Sequence, residues 1–398
     1  MPKRTAKIAV TPKLAKKAAF SDTVAPTLAK KATLSKKDKN TLTALRDVAD
    51  QVTKMAMRCR DPQLVIPMRT LSNTQYNQAK RILQMGKKTT QRPLFSLSSA
   101  KSFMQTMLVA SGTRQLIDQG KTLSIRGLYY MLKHKIKPTN EVTFEEQSDC
   151  DTVIEDVEVM LGCLREEMHL YADFKGGMVG DIQFLDRGDL IDCGRLGSGG
   201  YQIPSIVEPE VIEFQKTSAK FILHVEKGTV WQRFNEDKFW KKHRCLLTHG
   251  GGQPPRGVRR LLHRLHYELK LPVYCLLDND PWGYYIYSVI KQGSMNLAFE
   301  SQRMAIPDAK FLGVRSEDFK RCGLNESVII GLSDTDRKRA RQIAAYPWFA
   351  RKKEWQKEIN QMLENGFKLE VEALISRDIS YVTEVYVPER LKEARFLD

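Results

Sequence analysis

The spacing of apolar positions changes character along the chain. Helical three- and four-residue intervals dominate first; short apolar runs separated by helix-period segments follow. A helical patch runs from Leu42 to Met57, and the Asp61-Pro62 and Ile66-Pro67 steps break what comes next. Helix resumes from about Ser98 to Gln119, with Leu108, Leu116 and Ile117 on one side, and stops at Gly120. Thr122 or Ser124 then caps a short helix within Lys121 to Lys137. Asp149 or Asp151 caps another, from about Val153 to Leu164. Leu170 to Phe174 and Met178 to Phe184 read as two short strands around the Gly176-Gly177 turn, a hairpin or wing. Helix, glycine turn, helix and wing together predict a winged-helix (CAP-like) domain over residues 95–190.

After a Gly-, Pro- and Ser-containing connection or β-loop (residues 186–215), the pattern becomes α/β. Ala219 to Val225 reads as a buried strand, and Arg244 to Thr248 as a second, ending at a triple glycine. A helix follows from about Arg256 to Leu269, then a strand from Leu271 to Leu277, a helix from Gly283 to Lys291 and a strand from Ala309 to Val314. This alternation predicts a mostly parallel sheet with ligands at the carboxyl ends of its strands. The expected organisation is a basic, disordered extension (1–60), a linker or helical lead-in (61–94), the winged helix (95–190) and a Rossmann-like α/β domain with C-terminal elaborations (191–398).

Charge sharpens that division. The formal net charge is +17, and residues 1–60 carry 15 Lys/Arg against 4 Asp/Glu, most of that excess. Residues 1–40 are rich in Lys, Ala and Thr, with Phe20 their one aromatic. Such a segment buries too little apolar surface to offset its ordering entropy. It reads as a basic arm that tracks DNA phosphates, or as a solubilising tail. A polyanion, with nucleic acid ahead of an anionic membrane, is the expected partner. The seven cysteines are scattered with no C-x-x-C pair, which points to neither a disulfide framework nor a zinc site. No apolar run reaches the roughly 18 residues of a membrane helix. A soluble protein of a reducing compartment is expected, although the basic start also has the composition of a mitochondrial-type leader.

Two constellations carry candidate chemistry. Around Tyr129-Tyr130, Ile125, Leu128, Tyr129 and Leu132 fall on one helical face, and Arg126, Tyr130, Lys133 and His134 on another. Tyr130 is therefore the exposed tyrosine, flanked by cations that stabilise a phenolate or a phosphate alike. An ordinary half-buried aromatic pair next to a solvated basic edge is the simpler reading of this window alone. The second constellation is Glu226, Asp278 and Asp280, each just past a strand end. Alternate residues of an extended segment point the same way, so D-x-D suits Mg2+, which takes oxygen ligands. Capping of the following helices is the other use such acids have, above all for Asp280 before Pro281. Gly251, Gly252 and Gln253 precede a helix whose free N–H groups, with Lys133, Arg256 and Arg259, are candidate phosphate or DNA contacts.

The stretches S-I-R-G-L-Y-Y (124–130), V-I-E-D-V-E-V-M-L-G (153–162) and K-G-G-M-V-G-D (175–181) resemble the winged-helix half of the A subunits of type IIB DNA topoisomerases (topoisomerase VI). H-V-E-K-G-T (224–229), G-G-G-Q-P-P-R-G-V-R-R (250–260) and L-D-N-D-P-W-G-Y-Y-I-Y (277–287) resemble their Toprim half. The likeness continues through A-Y-P-W-F (345–349) and K-L-E-V-E-A-L (368–374) to Tyr386-Val387-Pro388, covering about residues 95–398. It implies a DNA cleavage–religation subunit in which Tyr130 attacks a phosphodiester and stays on the 5′ end. It also implies that Arg126 orients the phosphate and that Glu226, Asp278 and Asp280 bind Mg2+. Gly127 stands where an acidic or polar residue is common in such tyrosine motifs. Implied partners are double-stranded DNA, a second copy of the chain in a homodimer, and a GHKL-type ATPase B subunit that binds ATP in an A2B2 complex; no membrane is involved. The implied location is cytoplasmic and nucleoid-associated. The related meiotic double-strand-break transesterase, a catalytically silent DNA-binding paralogue and a Toprim nuclease or primase are the alternatives. The last does not explain the tyrosine helix. Whether tyrosine and metal act within one chain or between two is open.

Overall fold

The structure is a computed structural model that describes residues 34–398. The expected basic arm falls largely outside the described residues. Its last part holds the helix expected from Leu42 to Met57, which starts earlier, at Lys36, with a capping box between Ser35 and Asp38, so the expected disorder does not reach residue 60. Thr41 and Leu45 are buried, Lys37 pairs with Glu210, and Asp38 meets His169 at 2.9 Å. These tertiary contacts supply what local composition lacks. Residues 61–94 also differ from expectation. They form two antiparallel ribbons, Gln63–Pro67 with Thr89–Pro93 and Thr74–Asn77 with Ile82–Met85, rather than a helical lead-in.

The tyrosine-bearing part is built on three helices, Ala100–Gln119, Ile125–Leu132 and Gln147–Leu161. Gly120 ends the first in the left-handed conformation, and the chain turns at once into the second. The third starts earlier than expected: Glu146 is its N-cap, and Asp149 accepts from the Glu146 N–H. Leu128, Tyr129 and Leu132 pack with Val109, Leu116, Ile154 and Val157 in one core.

The expected wing does not form. Leu170–Tyr171 pairs in parallel with Leu123–Ser124, and Gly177–Gly180 joins a larger sheet as an antiparallel neighbour of Cys245–His249. The double glycine serves close approach instead of a hairpin turn. A Cβ on Gly176 would overlap the His249 carbonyl oxygen, and one on Gly177 would lie 2.9 Å from the His249 ring. The remainder of the 186–215 segment is β-rich, with Ile212–Thr217, Ile182–Asp186 and Asp189–Asp192 forming a three-stranded sheet.

The six-stranded sheet runs in the order Tyr201–Gln202, Gly177–Gly180, Cys245–His249, Phe221–Val225, Val273–Leu276, Lys310–Phe311. The last four are parallel, as the alternating pattern predicts. The chain leaves Phe221–Val225 for the strand on one side and later returns to the strand on the other. The order therefore reverses at Phe221–Val225, and the crevice for a ligand opens beyond its carboxyl end and that of Val273–Leu276. Helices Arg256–Leu269 and Pro281–Gln292 bury Val258, Leu261, Leu265, Tyr284 and Tyr287 against the sheet.

Buried ion pairs join these parts. Arg69 and Arg92 hold Asp156, with Arg69 also on Glu155. Arg256 holds Glu158, Glu155 and Glu300 at 2.6, 3.3 and 2.8 Å. Arg303 holds Glu166, Glu208 and Glu300, and Arg260 also holds Glu208. Burial pushes the Glu208 carboxyl up, but Arg260 and Arg303 more than reverse this and hold it down at about 2. A carboxyl with a depressed folded pKa stabilises the fold above its unfolded value and loses that stability as pH falls. The contribution is about 3 kcal/mol above pH ~5 and falls to less than half by pH ~3. Urea unfolding at stepped pH should show Glu208→Gln less stable than the parent by at least that amount at pH 7, with the gap narrowing toward pH 3. A gap independent of pH would refute this assignment.

Candidate active site

Ser124 sets the tyrosine helix. It is the N-cap, and its Oγ accepts from Gly127 N at 2.9 Å. Gly127 is there for space: a Cβ would lie 2.7 Å from Leu123 Cδ1 and 3.1 Å from Ser124 Oγ. The two tyrosines then diverge as helical spacing predicts. Tyr129 is 7% exposed, and its hydroxyl donates to the Glu145 carbonyl at 3.1 Å while accepting from Lys133 Nζ at 2.5 Å. Tyr130 is 61% exposed, and the Arg126 guanidinium lies 5.9 Å from its ring centre. Lys133, expected beside Tyr130 as a DNA contact, is turned to Tyr129 and to the Glu145 carbonyl at 2.8 Å.

The sheet brings the three predicted carboxylates to one edge. Glu226 follows Phe221–Val225 directly, and its Oε2 accepts from Asp278 N at 3.2 Å. Asp278 is buried; its Oδ1 accepts from Val371 N at 2.8 Å. Asp280 is the N-cap of Pro281–Gln292 and accepts from Gly283 N, so the capping role is real for this residue. One of its oxygens remains outside that bond, which leaves capping and metal binding compatible. Burial, then mutual repulsion, pushes Glu226 above the ordinary carboxylate range; burial does the same to Asp278 and Asp280.

A cation inside the chain answers part of this charge. Lys227 Nζ lies 3.0 Å from Asp278 Oδ2, 2.9 Å from Glu370 and 3.1 Å from Glu372. Burial alone would lower its pKa, but Asp278, Glu370 and Glu372 raise it. Among the described residues, no three acidic, histidine or cysteine side chains are gathered into a ready metal cage. Asp278, Glu370 and Glu372 surround the one ammonium, and with Glu226 and Asp280 they supply hard oxygen ligands of the kind Mg2+ takes. Sequence reasoning missed Lys227, Glu370 and Glu372. The signals that could find them are the E-K step after the strand and the E-x-E spacing of K-L-E-V-E, the same period-2 pattern as D-x-D.

The glycine turn divides. Gly251 and Gly252 have positive φ; a Cβ on Gly252 would meet open space, and one on Gly251 would lie 3.5 Å from Lys175 Cε. Gln253 is exposed, whereas Gly252 N already donates to the Glu226 carbonyl at 2.9 Å. Two of the arginines do not suit a phosphate. Arg256 is held by Glu158, 0% exposed, and Glu300, 2% exposed. Arg259 is buried, which lowers its pKa to about 10. Their place on the inner face of an amphipathic helix accounts for this correction. Among the described residues, no hydrogen bond or ion pair links Tyr130 or Arg126 to the carboxylate cluster.

An exposed tyrosine on a helical unit, carried by a chain whose parallel sheet gathers acids at its switch point, defines a class of Toprim protein. Residues 221–391 match the Toprim domain shared by the topoisomerase 6 A subunits and Spo11. Residues 101–170 match the family described as type IIB DNA topoisomerase, and 175–218 the all-beta domain of the DNA topoisomerase VI alpha subunit. Relatives include the type 2 DNA topoisomerase 6 A subunit of Pyrococcus horikoshii, 38% identical over 90% of this chain and 96% of that protein. The Aeropyrum pernix protein of the same name is 40% identical over 85% and 91%, and the DNA topoisomerase 6 A subunit of Arabidopsis thaliana is 31% identical over 89% and 81%. The chain belongs to the A subunits of DNA topoisomerase VI, the type IIB family. No helix among the described residues is long and apolar enough to cross a membrane.

Arg256→Ala separates its two readings. It should destabilise the fold by about 3–5 kcal/mol in urea, because Glu158 is left buried without a partner and Glu300 keeps only Arg303. The slope of log Kd for DNA against log salt should not change. A slope lower by about one with stability intact would restore Arg256 as a phosphate contact.

Proposed function

We propose that the chain is the DNA cleavage–religation subunit of a type IIB topoisomerase and that Tyr130 is its nucleophile. The observation that carries the choice is the asymmetry of the pair: Tyr129 is tied at its hydroxyl to Lys133 and Glu145, whereas Tyr130 stands exposed beside Arg126. Tyr130 Oη gives up its proton and forms a bond to a backbone phosphorus, the P–O3′ bond breaks, and the 3′ oxygen takes up one proton to leave as a hydroxyl, so the step is neutral in protons. The products are a 5′-phosphotyrosyl link and a free 3′ hydroxyl. The reverse attack reseals the strand, so the link conserves the bond. Arg126 orients the phosphate and offsets its charge. The helix pair Ala100–Gln119 and Ile125–Leu132 presents Tyr130 to the duplex, as the DNA-reading part of a winged-helix-like domain that here lacks its expected wing.

Glu226, Asp278 and Asp280 would hold Mg2+, which when bound neutralises phosphate charge and steadies the leaving oxygen. Glu226 and Asp278 stay close through the Oε2 to N–H bond, and Val371 N aims Asp278. The resemblance to the family implies a homodimer in which the tyrosine of one protomer works with the acids of the other. An ATPase B subunit would couple cleavage to strand passage in an A2B2 assembly, and DNA sets the protein's location in the cell.

With B subunit, ATP, Mg2+ and supercoiled DNA, detergent quenching should trap covalent protein–DNA adducts with the parent and with Tyr129→Phe. Tyr130→Phe should trap none while binding DNA with unchanged affinity. Adducts from Tyr130→Phe, with Tyr129→Phe silent, would reverse the choice of nucleophile.

A further inference from the structure

The residue between the two aspartates faces the other way. Alternation along the extended segment sends Asp278 and Asp280 to one side and Asn279 to the other, where it is 1% exposed. Asn279 Nδ2 finds three acceptors: Tyr284 Oη at 2.6 Å, Glu358 Oε1 at 3.0 Å and Ser316 Oγ at 3.3 Å. Its backbone is clamped as well. Asn279 N donates to Leu369 O at 2.8 Å, and Leu369 N to Asn279 O at 3.1 Å. Leu369 lies two residues before Val371, whose N–H aims Asp278.

Glu358 is the hub behind this. It sits on helix Lys353–Asn365, 4% exposed, far from the nucleophile in sequence and absent from the predicted site. Oε1 accepts from Asn279 Nδ2, from Tyr284 Oη at 3.1 Å and from Ser316 N at 2.7 Å; Oε2 takes Arg315 Nε at 3.3 Å. These donors come from different walls of the crevice. Asn279 lies past Val273–Leu276, Tyr284 on the helix that Asp280 caps, and Arg315-Ser316 after Lys310–Phe311. A core that needed only packing there would be served as well by apolar side chains. A carboxylate with four donors fixes directions instead of filling volume.

We propose that Glu358 is a positioning residue for the divalent-cation site: by holding the Asn279 amide on its side of the segment it fixes the opposite aim of Asp278 and Asp280. This rests on the reading of those aspartates as metal ligands. Partners that orient ligands in this way, when removed, weaken metal affinity by about 10–100-fold. Glu358→Gln keeps an acceptor at Oε1 for all three inward bonds; its amide NH2 cannot accept from Arg315 Nε, so that bond and the charge are lost, while Arg315 keeps Glu317, and on the Asn279 side the variant should behave as a conservative rescue.

The test is Mn2+ binding to the full chain without DNA, read as free Mn2+ by electron paramagnetic resonance, with melting temperatures recorded on the same samples. The parent should bind Mn2+, and Asp278→Asn should lose that binding. Asn279→Ala should weaken it about tenfold at a temperature where it is fully folded. Tyr284→Phe, which removes one hydroxyl from the network and leaves little gap, should weaken it in the same direction by less. Glu358→Gln should stay within about threefold of the parent. Parental Mn2+ affinity in both Asn279→Ala and Tyr284→Phe, or a Glu358→Gln loss as large as that of Asn279→Ala, overturns the positioning role. Parental binding by Asp278→Asn overturns instead the metal reading beneath it.

Discussion

The buried ion pairs between the tyrosine-bearing helices and the sheet are the constraint on which the rest depends. Glu155 and Glu158 project from helix Gln147–Leu161, and Arg256 reaches them from the first turn of Arg256–Leu269. Arg303 ties Glu166, beyond that tyrosine-side helix, to Glu208 and Glu300. Removing one partner from such a set leaves a charge buried without compensation, at about 3–5 kcal/mol. The two parts are thus held in one arrangement and do not swing freely on a linker. On that frame Tyr130 is exposed, whereas Glu226 and Asp278 are buried at the carboxyl ends of the strands.

The same frame explains how a sheet with few catalytic side chains concentrates charge. The strand order reverses at Phe221–Val225, so the following residues of that strand and of Val273–Leu276 meet in a crevice. Glu226 and Asp278 meet there as neighbours, and K-L-E-V-E brings Glu370 and Glu372 against them through the Leu369–Asn279 bridge. Lys227 sits among these acids as a tethered cation. Its charge covers only part of theirs, consistent with the raised proton affinities of Glu226 and Asp278.

Periodicity made much of this legible. The four parallel strands, the helices that bury Val258 and Tyr284, the Ser124 cap and the exposure of Tyr130 over Tyr129 all follow from spacing. Other features do not. Gly176-Gly177 reads locally as a turn, but its lack of side chains serves contact with a strand some seventy residues later, which no local window contains. Arg256 and Arg259 stand after a glycine turn as phosphate ligands do; only the packed structure shows them facing inward. Helix Lys36–Met57 is legible from Leu42 on; its first turns lie in a stretch whose composition suggests disorder, and their order depends on His169 and Glu210 far along the chain. Asn279 is hidden for a related reason: between two acids its identity looks incidental until Glu358 is seen behind it.

The central claim is that the chemistry passes through one tyrosine, Tyr130. The most direct measurement is to trap the cleavage complex, digest the DNA to a short remnant and the protein to peptides, and locate the nucleotide by tandem mass spectrometry. The account predicts the remnant on Tyr130, joined through its 5′ phosphate. A remnant on Tyr129, or a 3′-phosphate linkage, would contradict it.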